Sequence, residues 1–108
     1  MTSKPGPVTT ADGHHVIIGG RRWRATDPSV PEAVGARLRV HLMAARRAVA
    51  AARRARDPQA ECAARRRVQR AKEALGERGR PWWEQSADER RERWSEGLAA
   101  LDALKDLS

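Results

Sequence analysis

The sequence predicts a mainly α protein: an N-terminal β-hairpin packed on an antiparallel helical hairpin, followed by a third, C-terminal amphipathic helix. Three observations predict it. Gly19-Gly20 separates two short alternating segments, as a tight hairpin turn would. Asp57-Pro58 interrupts a long Ala- and Arg-rich stretch that otherwise keeps helical periodicity. Ser29–Glu32 and Ser86–Glu89 both carry the Ser-x-x-Glu pattern that opens helices. At 108 residues, the chain is expected to form one small domain over 13–108, preceded by a flexible tail over 1–12.

Taken in order, residues 1–11 combine Pro5, Gly6 and Pro7 with Ser and Thr. Asp12-Gly13 could turn a short extra strand over Val8–Ala11 onto the segment beginning at His14, although Pro7 and the polar composition argue against it. The hairpin at 14–26 comes next, His14–Ile18 against Arg21–Thr26. A two-residue Gly-Gly turn pairs Ile18 with Arg21, Ile17 with Arg22, Val16 with Trp23 and His15 with Arg24. Alternation then places Val16, Ile18 and Trp23 on a face toward the helices, and His15, Ile17, Arg22 and Arg24 on a wet, basic face.

Ser29-Val30-Pro31-Glu32 reads as a capping box opening a helix over 30–56, with Val34, Leu38, Leu42, Ala45, Val49 and Ala52 in one narrow stripe. Asp57 caps and Pro58 starts a second helix over 58–75, whose stripe is Ala60, Ala64, Val68, Ala71 and Leu75. So short a turn implies an antiparallel pair, close because its seam is largely Ala. Gly76 and Gly79 end the second helix. Pro81-Trp82-Trp83 forms an aromatic loop, and a helix over 87–107 aligns Trp94, Leu98, Leu101 and Leu104 or Leu107.

Charge is segregated along this plan. Residues 37–72 hold twelve basic and two acidic side chains; residues 1–36 are nearly balanced and 73–108 are mildly acidic, within a net +8. The arginines of the helical hairpin fall in rows: Arg39, Arg46 and Arg53 are seven apart, as are Arg47 and Arg54, while Arg65, Arg66 and Arg70 lie on the second helix. None is on an apolar stripe. A concentrated positive field attracts polyanions, and guanidinium forks suit phosphates. The expected function is therefore nucleic-acid binding, DNA or RNA, mainly through the backbone and with little sequence preference. Arg22 and Arg24 would extend the surface from the sheet. A GC-rich genome would also favour Arg over Lys, nineteen to three here, but would not by itself deplete acids from 37–72 and leave them common afterwards.

The apolar complement is thin: seven Val, seven Leu, two Ile, two Met and four Trp, with no Phe or Tyr. Such a core would gain from a partner. The third helix suggests one through Trp94, Leu98 and Leu101, as a homodimer or as an adaptor docked on another protein. Trp23 and Trp94 are expected in the core. So are Trp82 and Trp83, although two adjacent indoles do not easily both point inward, and beside Arg78 and Arg80 they could stack on bases.

No phosphate loop, nucleophile elbow, paired carboxylates or metal-ligand spacing occurs, so neither enzymatic activity, a cofactor nor a bound metal is expected. His14 and His15 would point to opposite faces of a strand, and His41 lies beside the first stripe as a partly exposed residue. Cys62, the only cysteine, sits in the first turn of the second helix with Arg65 and Arg66 one turn on, a setting that lowers a thiol pKa, but it has no partner thiol. A single cysteine, no signal-like apolar segment at the start, and no run near the roughly 18 apolar residues of a span suit a cytoplasmic protein that does not enter a membrane.

The segments Gly20–Pro28 (GRRWRATDP), Leu42–Val49 (LMAARRAV) and Ala74–Glu84 (ALGERGRPWWE) resemble those of a group of short uncharacterised bacterial proteins, mainly actinobacterial, over about residues 13–84. Some members of such groups bear a Tol-like biopolymer-transport label. The resemblance implies no catalytic residue in this chain.

Overall fold

The computed structural model describes residues 7–106. Three strands, β1 (Val8–Thr9), β2 (His15–Ile18) and β3 (Arg21–Arg24), precede three helices, α1 (Glu32–Arg54), α2 (Pro58–Ala74) and α3 (Ala87–Asp106), with a short 3-10 turn at Trp82–Glu84. The fold is mainly α, with a small antiparallel sheet packed on the helices. β2 and β3 pair in the expected register, His15 opposite Arg24 through Ile18 opposite Arg21. Gly19 and Gly20 take φ values of 58° and 78°, the left-handed pair this turn requires.

The extra strand forms as well. β1 pairs with β2, Val8 opposite Ile17 and Thr9 opposite Val16, inside the stretch expected to be a tail. Its turn is closed by polar side chains: the Thr10 hydroxyl donates to Asp12 Oδ1 at 2.6 Å, and the His14 N–H donates to the same oxygen at 3.0 Å. Residues 1–6 of that tail and Leu107 of the third helix lie outside the described residues.

One expected cap is replaced. α1 begins at Glu32 without a side-chain cap, because Ser29 turns the other way. Its hydroxyl donates to Asp27 Oδ1 at 2.6 Å and its N–H to the same oxygen at 2.8 Å. The strong bond to an ionised carboxylate fixes the side chain toward Asp27, where its oxygen faces Arg90 Nη1 at 3.5 Å in place of a backbone N–H of α1. The second capping box forms reciprocally, Ser86 N–H to Glu89 Oε1 at 2.9 Å and Glu89 N–H to Ser86 Oγ at 3.1 Å. Asp57 accepts the Ala60 N–H at 3.0 Å ahead of α2. Both helices of the hairpin end alike. Glu77 N–H reaches Lys72 O and Asp57 N–H reaches Ala52 O, each at 2.9 Å, around a left-handed residue. That residue is Gly76 after α2 but Arg56, at φ 53°, after α1.

Leu38, Leu42, Ala71, Ala74, Leu75, Trp94, Leu98 and Leu101 form the core, with Val30, Val34 and Val68 against it. Trp94, Leu98 and Leu101 are thus buried within the chain itself and offer no seam to a second copy or a partner protein. Trp23 departs from expectation in the other direction, remaining 38% exposed. The core fills the base of the helical hairpin. Toward its tip the buried seam residues are Ala45, Ala52 and Ala64, while Ala60 is exposed. The hairpin therefore projects, and the radius of gyration, 15.4 Å, exceeds the roughly 13 Å of a compact chain this long.

The sheet is fastened chiefly where β3 leaves it. Asp27, 1% exposed, donates its N–H to Leu75 O at 2.9 Å, and its Oδ2 accepts Arg93 Nη2 at 2.5 Å. Arg90 Nη1 stands 3.6 Å from Oδ1. Arg93 also donates Nε to Ala74 O at 3.3 Å and Nη1 to Gln85 Oε1. Around this centre the Trp82 indole N–H donates to Ala25 O at 3.0 Å and the Thr26 hydroxyl to Glu77 Oε2 at 2.8 Å. Burial alone would raise the Asp27 carboxyl, but Arg93 and the two Ser29 donors outweigh it and hold the group below its usual range.

Candidate nucleic-acid interface

The arginines divide into two populations. Those around the base have partners: Arg90 and Arg93 at Asp27, Arg80 on Glu89 Oε2 at 2.7 Å, Arg78 on Gln69 Oε1 at 2.7 Å, and Arg37 on Asp102. On the projecting hairpin, Arg39, Arg47, Arg53, Arg54, Arg66 and Arg70 are exposed and make no hydrogen bond or ion pair among the described residues. Arg46 touches only the Met43 sulfur, at 3.9 Å. The two carboxylates of that stretch are engaged, Asp57 as a cap and Glu61 with Arg65 Nε at 2.8 Å.

Helical geometry splits the predicted site. Residues seven apart lie nearly above one another, so Arg39, Arg46 and Arg53 form one row flanking the seam on the sheet side, where Arg46 and Lys72 line a common cleft. Arg47 and Arg54 stand about a quarter-turn further round, facing away from the core. Arg66 and Arg70 occupy the opposite flank, beside Arg67 and Leu104. The continuous element is thus the α1 strip of five arginines, not all ten expected residues.

The sheet contributes less than expected. Arg22 is exposed and approaches His15 Nδ1 at 3.4 Å. Arg24 is held, donating to Gly79 O at 2.7 Å with its guanidinium 5.7 Å from the Trp83 ring centre. The expected wet face is partly covered because Trp83 folds over it. His14 stacks on Trp83 at 3.9 Å with planes 3° apart, and His15 meets its edge at 5.7 Å. The two histidines therefore share one aromatic neighbour. His41, expected at the surface, is buried with Nε2 2.8 Å from Asp102 Oδ1; that contact, with Arg37, holds the Asp102 carboxyl below its usual range. Cys62 is exposed.

The sheet meets the helices over a cleft of about 370 Å³ lined by Val16, Ile18, Trp23, Arg46, Lys72 and Glu77 among others. Lys72 is the group that sequence reading missed. It is only 8% exposed, its ammonium lies 5.4 Å from the Trp23 ring centre, and no carboxylate stands within ion-pair distance among the described residues. Burial, then Arg78, pushes its pKa down; Arg46 adds to this and Glu77 opposes it. The available signal was positional: Lys72 falls directly after Ala71 of the α2 stripe, and Trp23 pairs with Val16 on the face toward the helices.

Among the described residues, no three His, Cys, Asp or Glu side chains converge to hold a metal, and no helix is long and apolar enough to cross a membrane. No family model, no curated protein and no solved structure matches the chain.

Proposed function

We propose that this protein binds nucleic acid, mainly through phosphates and with little sequence preference, along the α1 strip of Arg39, Arg46, Arg47, Arg53 and Arg54. The observation that carries the reading is the separation of paired from unpaired arginines. A compositional bias adds arginines everywhere, yet here those at the base are matched to carboxylates, amides and carbonyls. On the projecting arm Arg65 pairs with Glu61, and the five arginines of the α1 strip have no carboxylate partner among the described residues. Unpaired guanidiniums along a helix about 35 Å long, at 1.5 Å per residue over α1, are complementary to a polyanion and to little else that lacks a specific shape. Exposed backbone-directed cations position a nucleic acid without reading bases.

Neutralised phosphates release counterions, so affinity should fall steeply with salt, by about 0.9 in log–log slope per duplex phosphate engaged. The test is a salt titration against a random duplex and a random single strand, repeated with Arg46, Arg47, Arg53 and Arg54 changed to Gln. The variant should bind more weakly and show a shallower slope by roughly three to four. No binding by the unmodified protein at about 50 mM salt, where such contacts are strongest, would end the proposal. Binding unaffected by the four substitutions would move the site elsewhere.

A further inference from the structure

The cleft between sheet and helices combines features that the arginine strip lacks. Trp23 is the large aromatic side chain left substantially open, and its register opposite Val16 turns it into the cleft. The exposed Arg21 guanidinium lies over the indole, 4.3 Å from the ring centre, and is the side chain a stacked base would displace from that face; the Lys72 ammonium lies 5.4 Å from the same centre. Lys72 and Arg46 line the same cavity without an ion pair among the described residues; Glu77, on the same wall and bonded by the Thr26 hydroxyl, offsets the Lys72 charge only from beyond ion-pair distance. A mostly buried ammonium with no direct ion pair is an unfavourable arrangement. An anion entering the cleft would relieve it.

The complement of an indole face beside two cations that lack a direct ion pair is a nucleotide unit. Its base would lie against the indole and its phosphate against Arg46 and Lys72. We infer that this cleft takes an unpaired nucleotide of a single-stranded nucleic acid, with Trp23 as the stacking platform. Paired bases present edges, not faces, so a duplex could use the arginine strip but not the cleft. Arg46 belongs to both surfaces and makes them contiguous. Val16 and Ile18 line the remaining wall, which suits base stacking because every base has a π face and no hydrogen-bond code is needed. The inference rests on the nucleic-acid reading and adds to it a preference for single strands.

The experiment uses the full chain with a fluorescein-labelled 12-nucleotide random DNA strand, its blunt duplex, and unlabelled adenosine monophosphate as competitor, at about 50 mM salt. Trp23→Leu keeps an apolar side chain but removes the stacking face; Trp23→Phe restores a smaller one; Lys72→Met removes the charge at similar length. Circular dichroism verifies that each variant is folded. Trp23→Leu should weaken single-strand binding by roughly ten-fold, within the range measured for one stacked base, and leave duplex binding within about two-fold. Trp23→Phe should recover part of the loss. Lys72→Met should weaken single-strand binding and reduce its salt slope by about 0.7. Equal losses on both substrates in Trp23→Leu, or no loss on either, would overturn the cleft inference while leaving the arginine strip standing. Adenosine monophosphate competing as well per molecule as the 12-mer would make the cleft a free-nucleotide site and overturn the strand assignment. Failure of the unmodified protein to bind either labelled substrate would remove the arginine reading and this inference together.

Discussion

Replacing Asp27 with Asn tests whether the buried carboxylate holds the sheet exit to the helices. The side chain keeps its shape but loses its charge and turns one acceptor into a donor. Oδ2 faces Arg93 Nη2 at 2.5 Å and Oδ1 faces the Ser29 N–H at 2.8 Å, so either orientation of the amide sets a donor against a donor. It also leaves Arg93, largely buried, without its counter-charge. Breaking a buried pair in this way costs about 3–5 kcal/mol. At about 2.1 cal/mol/K of unfolding entropy per residue, that lowers Tm by roughly 13–22 °C. Urea unfolding followed by far-ultraviolet circular dichroism measures the loss directly. The pH dependence gives a second check. Asp27 is held ionised below its usual range, so the unfolded chain binds more protons than the folded one as pH falls. Its contribution is fully present above the unfolded carboxyl pKa and is lost as pH drops through the folded value. The stability gap between wild type and Asp27→Asn should therefore narrow from pH 6 toward pH 3. A variant within 1 kcal/mol of wild type at pH 7, or a gap that widens in acid, would refute the reasoning.

Other expectations concern backbone and burial. Gly97→Ala should destabilise by about 1–3 kcal/mol in urea unfolding, because the new Cβ would stand 2.6 Å from the Ala74 methyl carbon. Gly35→Ala should instead gain up to about 1 kcal/mol from helix propensity, since its Cβ would meet only the end of the Arg39 side chain, at 3.3 Å. Arg56→Gly should stabilise by about 0.5–1 kcal/mol by relieving the left-handed conformation after α1, and a lower urea midpoint would contradict that account. Lys72→Met should raise the urea midpoint at neutral pH. Wild-type stability should climb as alkaline pH discharges the depressed ammonium, a climb the variant should not share.

The sequence made local structure legible where one residue type has one mechanical use. Gly19-Gly20 set the hairpin register, Asp57-Pro58 set the helix break, and Ser86 with Glu89 formed the second cap. It failed where a local signal met a stronger partner from a distant segment. Ser29 has the capping pattern, but Asp27 lies two residues away and takes its hydroxyl, and Asp27 is itself fixed by Arg93, 66 positions along. Trp94, Leu98 and Leu101 looked surplus because the stripes of α1 and α2 are narrow, yet one face of α3 closes the core those stripes leave open. The candidate site was half legible. Rows of arginine on α1 follow from helical spacing, whereas the isolation of Lys72 beside Trp23 depends on how the sheet meets the hairpin, which no periodicity encodes.

These two arginine populations make opposite demands on the molecule, which separates stability from binding. Arg93 to Gln would leave the buried Asp27 carboxylate without its closest charge partner and should cost about 3 kcal/mol or more. Arg46, Arg47, Arg53 and Arg54 touch no carboxylate among the described residues. Gln has nearly the helix propensity of Arg. Removing four like charges from one helix relieves a few tenths of a kcal/mol of repulsion per close pair. Against that, Arg53 and Arg54 lie in the last turn of α1, where a cation contributes about 0.3–1 kcal/mol through the helix dipole. The terms offset, and the four-fold Gln variant should unfold within about 1 kcal/mol of wild type while losing most of its affinity for polyanions. A large loss of stability in that variant would mean that these arginines hold the hairpin together. Their exposure and lack of partners would then no longer support a binding role.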